Sequence, residues 1–232
     1  MSFGGVVLKV LLLSLGTVVS CGAPRPAAMP EASTPSAGLV ASSPPVSVSA
    51  SISASPSGDL RDPTAFAGIA DAAQRSVALF EEAGKVLQHP RCTNCHPSDD
   101  RPRQRDGEAH VPPVLRGPDD RGIAVLECSS CHTSRNAELA RVPGAPGWHL
   151  APRSMGWLGQ DLGAICRQLK DPARNGQKTL AQIVEHTKND ALVAWGWAPG
   201  ADRAPAPGSQ ARFGALIEAW VETGAHCPPE AR

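Results

Sequence analysis

The chain has 232 residues and a mass of 24.1 kDa, with 41% hydrophobic and 19% charged residues and a formal net charge of zero. That length admits one ordinary domain or two small ones. A neutral balance excludes the basic face that phosphate neutralisation requires, so no nucleic acid is expected as a partner, and it also excludes an acidic solvating tail. Tyrosine is absent, so no mechanism built on a Tyr acid or radical is open to the chain. The 23 Pro and 22 Gly indicate long irregular stretches, and the seven Cys and seven His are the informative excess.

The chain opens with Lys9 and a short apolar run, Val10 to Val19, that ends at Ser20-Cys21. The run is about half the ~20 residues that span a bilayer as a helix, so residues 1–20 are expected to be an export signal. Val18-Val19-Ser20-Cys21 resembles the bacterial lipobox, in which the Cys is lipidated and becomes the mature N-terminus. This implies an exported, periplasm-facing lipoprotein anchored through Cys21. With Gly22 next in line, the outer membrane is expected rather than the inner.

Residues 21–59 are expected to form a disordered Ser/Ala/Pro-rich tether. From Gly22 to Gly58 there are ten Ser, eight Ala and seven Pro, and too little apolar surface to offset the entropy of ordering. The folded domain is expected over 60–232, mostly α with long irregular loops. Thr64 is placed to cap a helix in which Phe66, Ile69, Ala70, Ala73, Val77, Phe80, Ala83 and Leu87 share a face, with Pro90 ending it. Residues 97–122 lack periodicity and read as a long loop, and loops of that length in a small domain are usually functional. A second loop spans 141–152. Helical spacing returns over Leu158–Leu169, over Leu180–Thr187, and most clearly at Phe213, Leu216, Ile217, Trp220 and Val221 before Gly224.

Two Cys-x-x-Cys-His motifs carry the chemistry: Cys92-Thr-Asn-Cys95-His96 and Cys128-Ser-Ser-Cys131-His132. In c-type haem attachment the two thiols add across the porphyrin vinyls, and the adjacent His supplies the proximal imidazole. Two such motifs behind an export signal point to two covalently attached haem c groups, with His96 and His132 as proximal iron ligands. A zinc site built from the two pairs is the main alternative, but it usually spaces them 15–20 residues apart and leaves both His unexplained. A redox dithiol would need a βαβ context, and disulfides within the pairs would also strand the His. Cys166 and Cys227 belong to neither motif, and export puts them in an oxidising compartment, so a Cys166–Cys227 disulfide is expected.

Each iron has a sixth position. The candidates, in order, are His110 beside Pro112-Pro113 in the inter-motif loop, His186 on a short helix, His149 beside Trp148, and Met155, the one credible thioether. Surface or core roles compete with ligation at each His. His89 and His226 lie too close to Cys92 and Cys227 to serve. Of the five Trp, Trp195 and Trp197 read as a haem-covering segment and Trp220 as core.

Residues 85–229 resemble a group of exported dihaem proteins labelled as an isoquinoline 1-oxidoreductase subunit. The likeness rests on Cys-Thr-Asn-Cys-His-Pro (92–97), Arg116-Gly117, Pro-Gly-Ala-Pro-Gly-Trp-His-Leu-Ala-Pro (143–152), Met155-Gly-Trp157, Trp-Gly-Trp-Ala-Pro-Gly (195–200) and Gly-Ala-His-Cys-Pro (224–228). The resemblance implies redox partner proteins, a molybdenum hydroxylase among them. The chain lacks the Cys set and the length for that chemistry, so its part would be that of the electron-accepting subunit. A membrane-tethered dihaem c-type cytochrome that relays electrons is the function expected. The alternatives are a small dihaem peroxidase-like enzyme with one open iron, and a zinc-binding lipoprotein.

Overall fold

The computed structural model describes residues 58–200 and 202–230; Cys21, the signal and the tether up to residue 57 lie outside them. The described part is mostly helical, joined by long loops. Its helices are α1 (Ala72–Leu87), α2 (Pro90–Thr93), α3 (Leu162–Lys170), α4 (Leu180–Asn189), α5 (Ala191–Ala194) and α6 (Gln210–Glu222). Strands are confined to two small antiparallel hairpins, β1 (Arg103–Gln104) with β2 (Glu108–Ala109), and β3 (Gly122–Ile123) with β4 (Leu126–Glu127). The loop expected over 97–122 thus contains a hairpin, and the second Cys pair is delivered by another.

The first helix differs from its expectation. Thr64 caps nothing; Asp62 accepts from the Thr64 amide and opens a 3-10 turn over Pro63–Phe66, and α1 begins afresh behind Asp71, which accepts from the Gln74 amide. An Asp oxygen satisfies an orphan N–H of the first helical turn, so two Asp caps divide what the apolar spacing reads as one helix. Pro90 does not merely stop α1. It starts α2, where a missing N–H costs nothing. Likewise α3 starts at Leu162 behind Asp161, leaving Leu158 in a turn.

The core forms where α6 packs against α1 and α4. Trp220 is fully buried at its centre, 4.8 Å from Phe80 between ring centroids, with Leu79, Val86, Ile165, Leu216 and Ile217 around it. Each such side chain contributes about 1.5–3 kcal/mol by burial. The polar edge of Trp220 is satisfied: its indole N–H donates to the His226 carbonyl at 3.0 Å, while the His226 amide donates to Ser76 Oγ at 2.9 Å. Cys166 on α3 is joined to Cys227 by a disulfide with Cα atoms 5.6 Å apart, which fastens the segment after α6 onto α3. The first motif lies at the edge of this core, where Cys92 packs against it, and the second follows the β3–β4 hairpin.

Candidate functional site

The two motifs adopt the same local form. Cys92 lies in α2, Cys128 opens a 3-10 turn, and in each motif the His amide donates back to the carbonyl of the first Cys, at 3.2 Å for His96 and 2.9 Å for His132. One turn of chain therefore presents both thiols and the imidazole together. The four motif Cys are free thiols. Desolvation pushes Cys92 up to about 12 and Cys95 up to about 11, so both are protonated thiols at neutral pH. Backbone hydrogen bonds tie the motifs together: the Ala151 amide donates to the Cys95 carbonyl at 2.9 Å, the Leu150 amide to the Asp120 carbonyl at 2.9 Å, and the Cys128 amide to the Arg121 carbonyl at 2.8 Å. Among the described residues no three His, Cys, Asp or Glu side chains converge as a metal-binding group.

The imidazoles are held in one tautomer. His96 Nδ1 lies 2.8 Å from the Met155 carbonyl and His132 Nδ1 lies 2.8 Å from the Pro143 carbonyl. A carbonyl only accepts, so each Nδ1 carries the proton and each Nε2 presents a lone pair. Burial drives His96 down to about 3 against the opposing bond to Met155, and it lowers His132 in the same sense, so both rings are neutral at pH 7.

The remaining candidates fall into two groups. His110 stands over His132, ring centroids 5.8 Å apart at 66°, and donates its own Nδ1 proton to the Pro112 carbonyl. His186 and His149 stand near the other motif, where a positive charge on either would lower His96 further. His186 is fixed more firmly: it projects from α4 and its Nδ1 lies 3.0 Å from Asp190, whose other carboxylate oxygen caps α5. His149 sits in the 141–152 loop with Nδ1 on the Gly147 carbonyl. Met155 is buried in the core, and it meets His96 through its carbonyl, on the side of the ring away from the Nε2 lone pair.

His89 is used structurally, its Nδ1 accepting from the Arg91 amide as the cap of α2. His226 binds Ser76 and Trp220 through its backbone amide and carbonyl.

Several contributors were invisible in the sequence. Trp157 lies flat on His96, with centroids 3.4 Å apart at 10°, and Trp148 lies flat on His132 at 4.6 Å and 8°. Trp195 sets its face or edge against Trp148 at 5.0 Å and 87°, while Trp197 faces Phe213, so the Trp195–Trp197 segment touches Trp148 and the core rather than a motif His. Arg116, buried, donates to the carbonyls of Pro97, Asp99 and Ala151 and pairs with Asp120. The composition of the sequence names these residues, but no spacing rule links them to a distant His.

The motifs differ in depth. Cys92, Cys95 and Cys128 are half-buried, Cys92 against the core, whereas Cys131 is exposed. All four large apolar side chains that stand exposed among the described residues, Val111, Leu115, Val125 and Leu139, occur within the stretch that carries His110 and the second motif. Compared with known proteins, the chain matches no family model, no curated protein and no solved structure.

Proposed function

We propose that the chain is a dihaem c-type cytochrome that relays electrons, with haem attached through Cys92 and Cys95 and through Cys128 and Cys131. One observation carries this reading: in both motifs the His donates Nδ1 to a backbone carbonyl and leaves Nε2 unprotonated, the state an iron-binding imidazole requires. A dithiol role for the Cys pairs gives no reason for that repeated arrangement.

The donor set fits the group. Two free thiols and a neutral imidazole stand together at each motif, the set that covalent haem attachment and iron ligation would use. Two imidazoles sharing one ion through Nε2 need ring centroids about 6 Å apart, given metal–nitrogen bonds of about 2 Å. The 5.8 Å between His110 and His132 supports His110 as a residue that would hold the same iron as His132. For His96, His186 is preferred over His149, because α4 and Asp190 hold it in place. When bound, haem supplies a one-electron Fe(II)/Fe(III) couple, and the protein holds the ligands and sets the potential. Lipidation at Cys21 would keep this domain at a membrane, exchanging electrons with a redox partner such as the hydroxylase that the family resemblance implies.

The mass of the denatured protein and its visible spectrum with and without dithionite test the reading. Two retained haems and sharp α and β bands on reduction are expected; a colourless, haem-free protein from a haem-maturing host refutes it. His110→Ala should retain both haems and turn one high-spin. Unchanged ferric and ferrous spectra would remove His110 from the ligand set.

A further inference from the structure

We propose that Trp157 and Trp148 are positioning residues for the two iron-binding imidazoles, each fixing the rotation of one ring and so the electronic state of one haem. The inference rests on the dihaem reading and assigns a role that no motif residue supplies.

An imidazole bound through Nε2 can still turn about its bond to the metal. A hydrogen bond from Nδ1 constrains the far end of the ring, and a flat partner on its face removes the remaining freedom. Both restraints are present at both motifs. His96 has the Met155 carbonyl at 2.8 Å and Trp157 stacked at 3.4 Å; His132 has the Pro143 carbonyl at 2.8 Å and Trp148 stacked at 4.6 Å. The planes agree within 10° and 8°.

Each pair of restraints is anchored in turn by a side-chain amide. Gln168 on α3 donates to the carbonyl of Gly156, the residue between Met155 and Trp157, at 3.2 Å, and the Trp157 amide donates to the His96 carbonyl at 2.8 Å. At the other motif, Asn136 Oδ1 accepts from the Gly144 amide, next to Pro143, at 3.0 Å. The same oxygen accepts from the indole of Trp195 at 3.0 Å, and Trp195 packs against Trp148. The two assemblies are not copies of one sequence repeat, because the acceptor and the Trp are two residues apart at one motif and five at the other. Different loops arrive at the same pair of contacts. General core filling does not require a Trp parallel to the motif His in both places.

The test uses the full haem-loaded protein with Trp157→Leu and Trp148→Leu made singly, and Trp157→Phe and Trp148→Phe as conservative partners. Three readouts are taken: denatured mass, low-temperature electron paramagnetic resonance of the ferric state, and a potentiometric titration. Each Leu variant should keep both haems, broaden and shift one of the two low-spin signals, move one of the two midpoint potentials, and leave the other haem as in wild type. Each Phe variant should return the affected signal towards wild type. Trp148 is only half-buried, so its variants carry the test if Trp157→Leu does not fold. Spectra and potentials unchanged in the Leu variants overturn the inference, and so does an equal change at both haems, the signature of packing alone. Wild-type protein without haem would instead overturn the dihaem reading beneath it.

Discussion

Arg116 shows how much of the site depends on a single side chain outside the motifs. It is 4% exposed, and its guanidinium joins the carbonyls of Pro97 and Asp99, just after His96, to that of Ala151, whose amide in turn donates to the Cys95 carbonyl. Five donors in a rigid fork suit this task, and an ammonium does not. Arg116→Met should cost about 3 kcal/mol, because Asp120 and several carbonyls lose a partner together. Urea unfolding measures the loss, and Arg116→Lys should recover little of it. Glu82, buried on α1, offers a pH test. Burial alone would raise its carboxyl, but hydrogen bonds from Lys85 and from the Arg61 amide and side chain outweigh that and hold it below the usual range. The folded state thus favours the ionised form. Its stabilisation is complete above the unfolded carboxyl value of about 4.3 and is lost as pH falls through the lower folded value. Unfolding midpoints measured between about pH 6 and 3 should fall less steeply in Glu82→Gln than in wild type.

Among the elements, α3 does more than its nine residues suggest. It carries Cys166, and Gln168 holds the peptide beside His96's acceptor and its Trp. It also presents Gly163 to the chain after α6, where an added Cβ would lie 2.7 Å from the Pro228 carbonyl oxygen and 2.8 Å from that of Pro229. Helix propensity alone favours Ala over Gly by about 1 kcal/mol. Gly163→Ala should nevertheless destabilise, by about 1–3 kcal/mol, since backbone oxygens on a disulfide-pinned segment have little room to yield. The disulfide spans a sequence separation of 61 residues, for which chain entropy gives about 4 kcal/mol. Cys166→Ser with Cys227→Ser should lower the urea midpoint accordingly, and reductant should then have no further effect on it.

Taken whole, the molecule treats its two motifs unequally. The first is built into the edge of the helical core, and the second lies in loops with an exposed Cys131 and the exposed apolar residues around it. With haems attached, an outer-sphere reductant should reach the second haem first. Stopped-flow reduction should show a fast and a slow phase, and His110→Ala should alter the fast phase alone. Because backbone hydrogen bonds through Ala151, Leu150 and Asp120–Arg121 link the two motifs, the slow phase is expected to report passage of an electron from one motif to the other.

The helical class, the loop over 141–152, the apolar faces of α4 and α6 and both Cys-x-x-Cys-His motifs were legible because each is a local pattern, a period or a fixed spacing. The start of α1 was misread for the same reason: apolar spacing runs on from Phe66, and only the competition between caps at Asp62 and Asp71 breaks it. Partners of the motif His were not legible. The contacts from His96 to Met155 and Trp157, from His132 to Pro143 and Trp148, and from His110 to His132 join residues in separate loops, and a carbonyl acceptor has no side-chain signature at all. Residue type and spacing singled out the candidate groups. Only the tertiary structure decided which nitrogen each ring offers and what stands beside it, because hydrogen bonding and stacking depend on where distant loops meet.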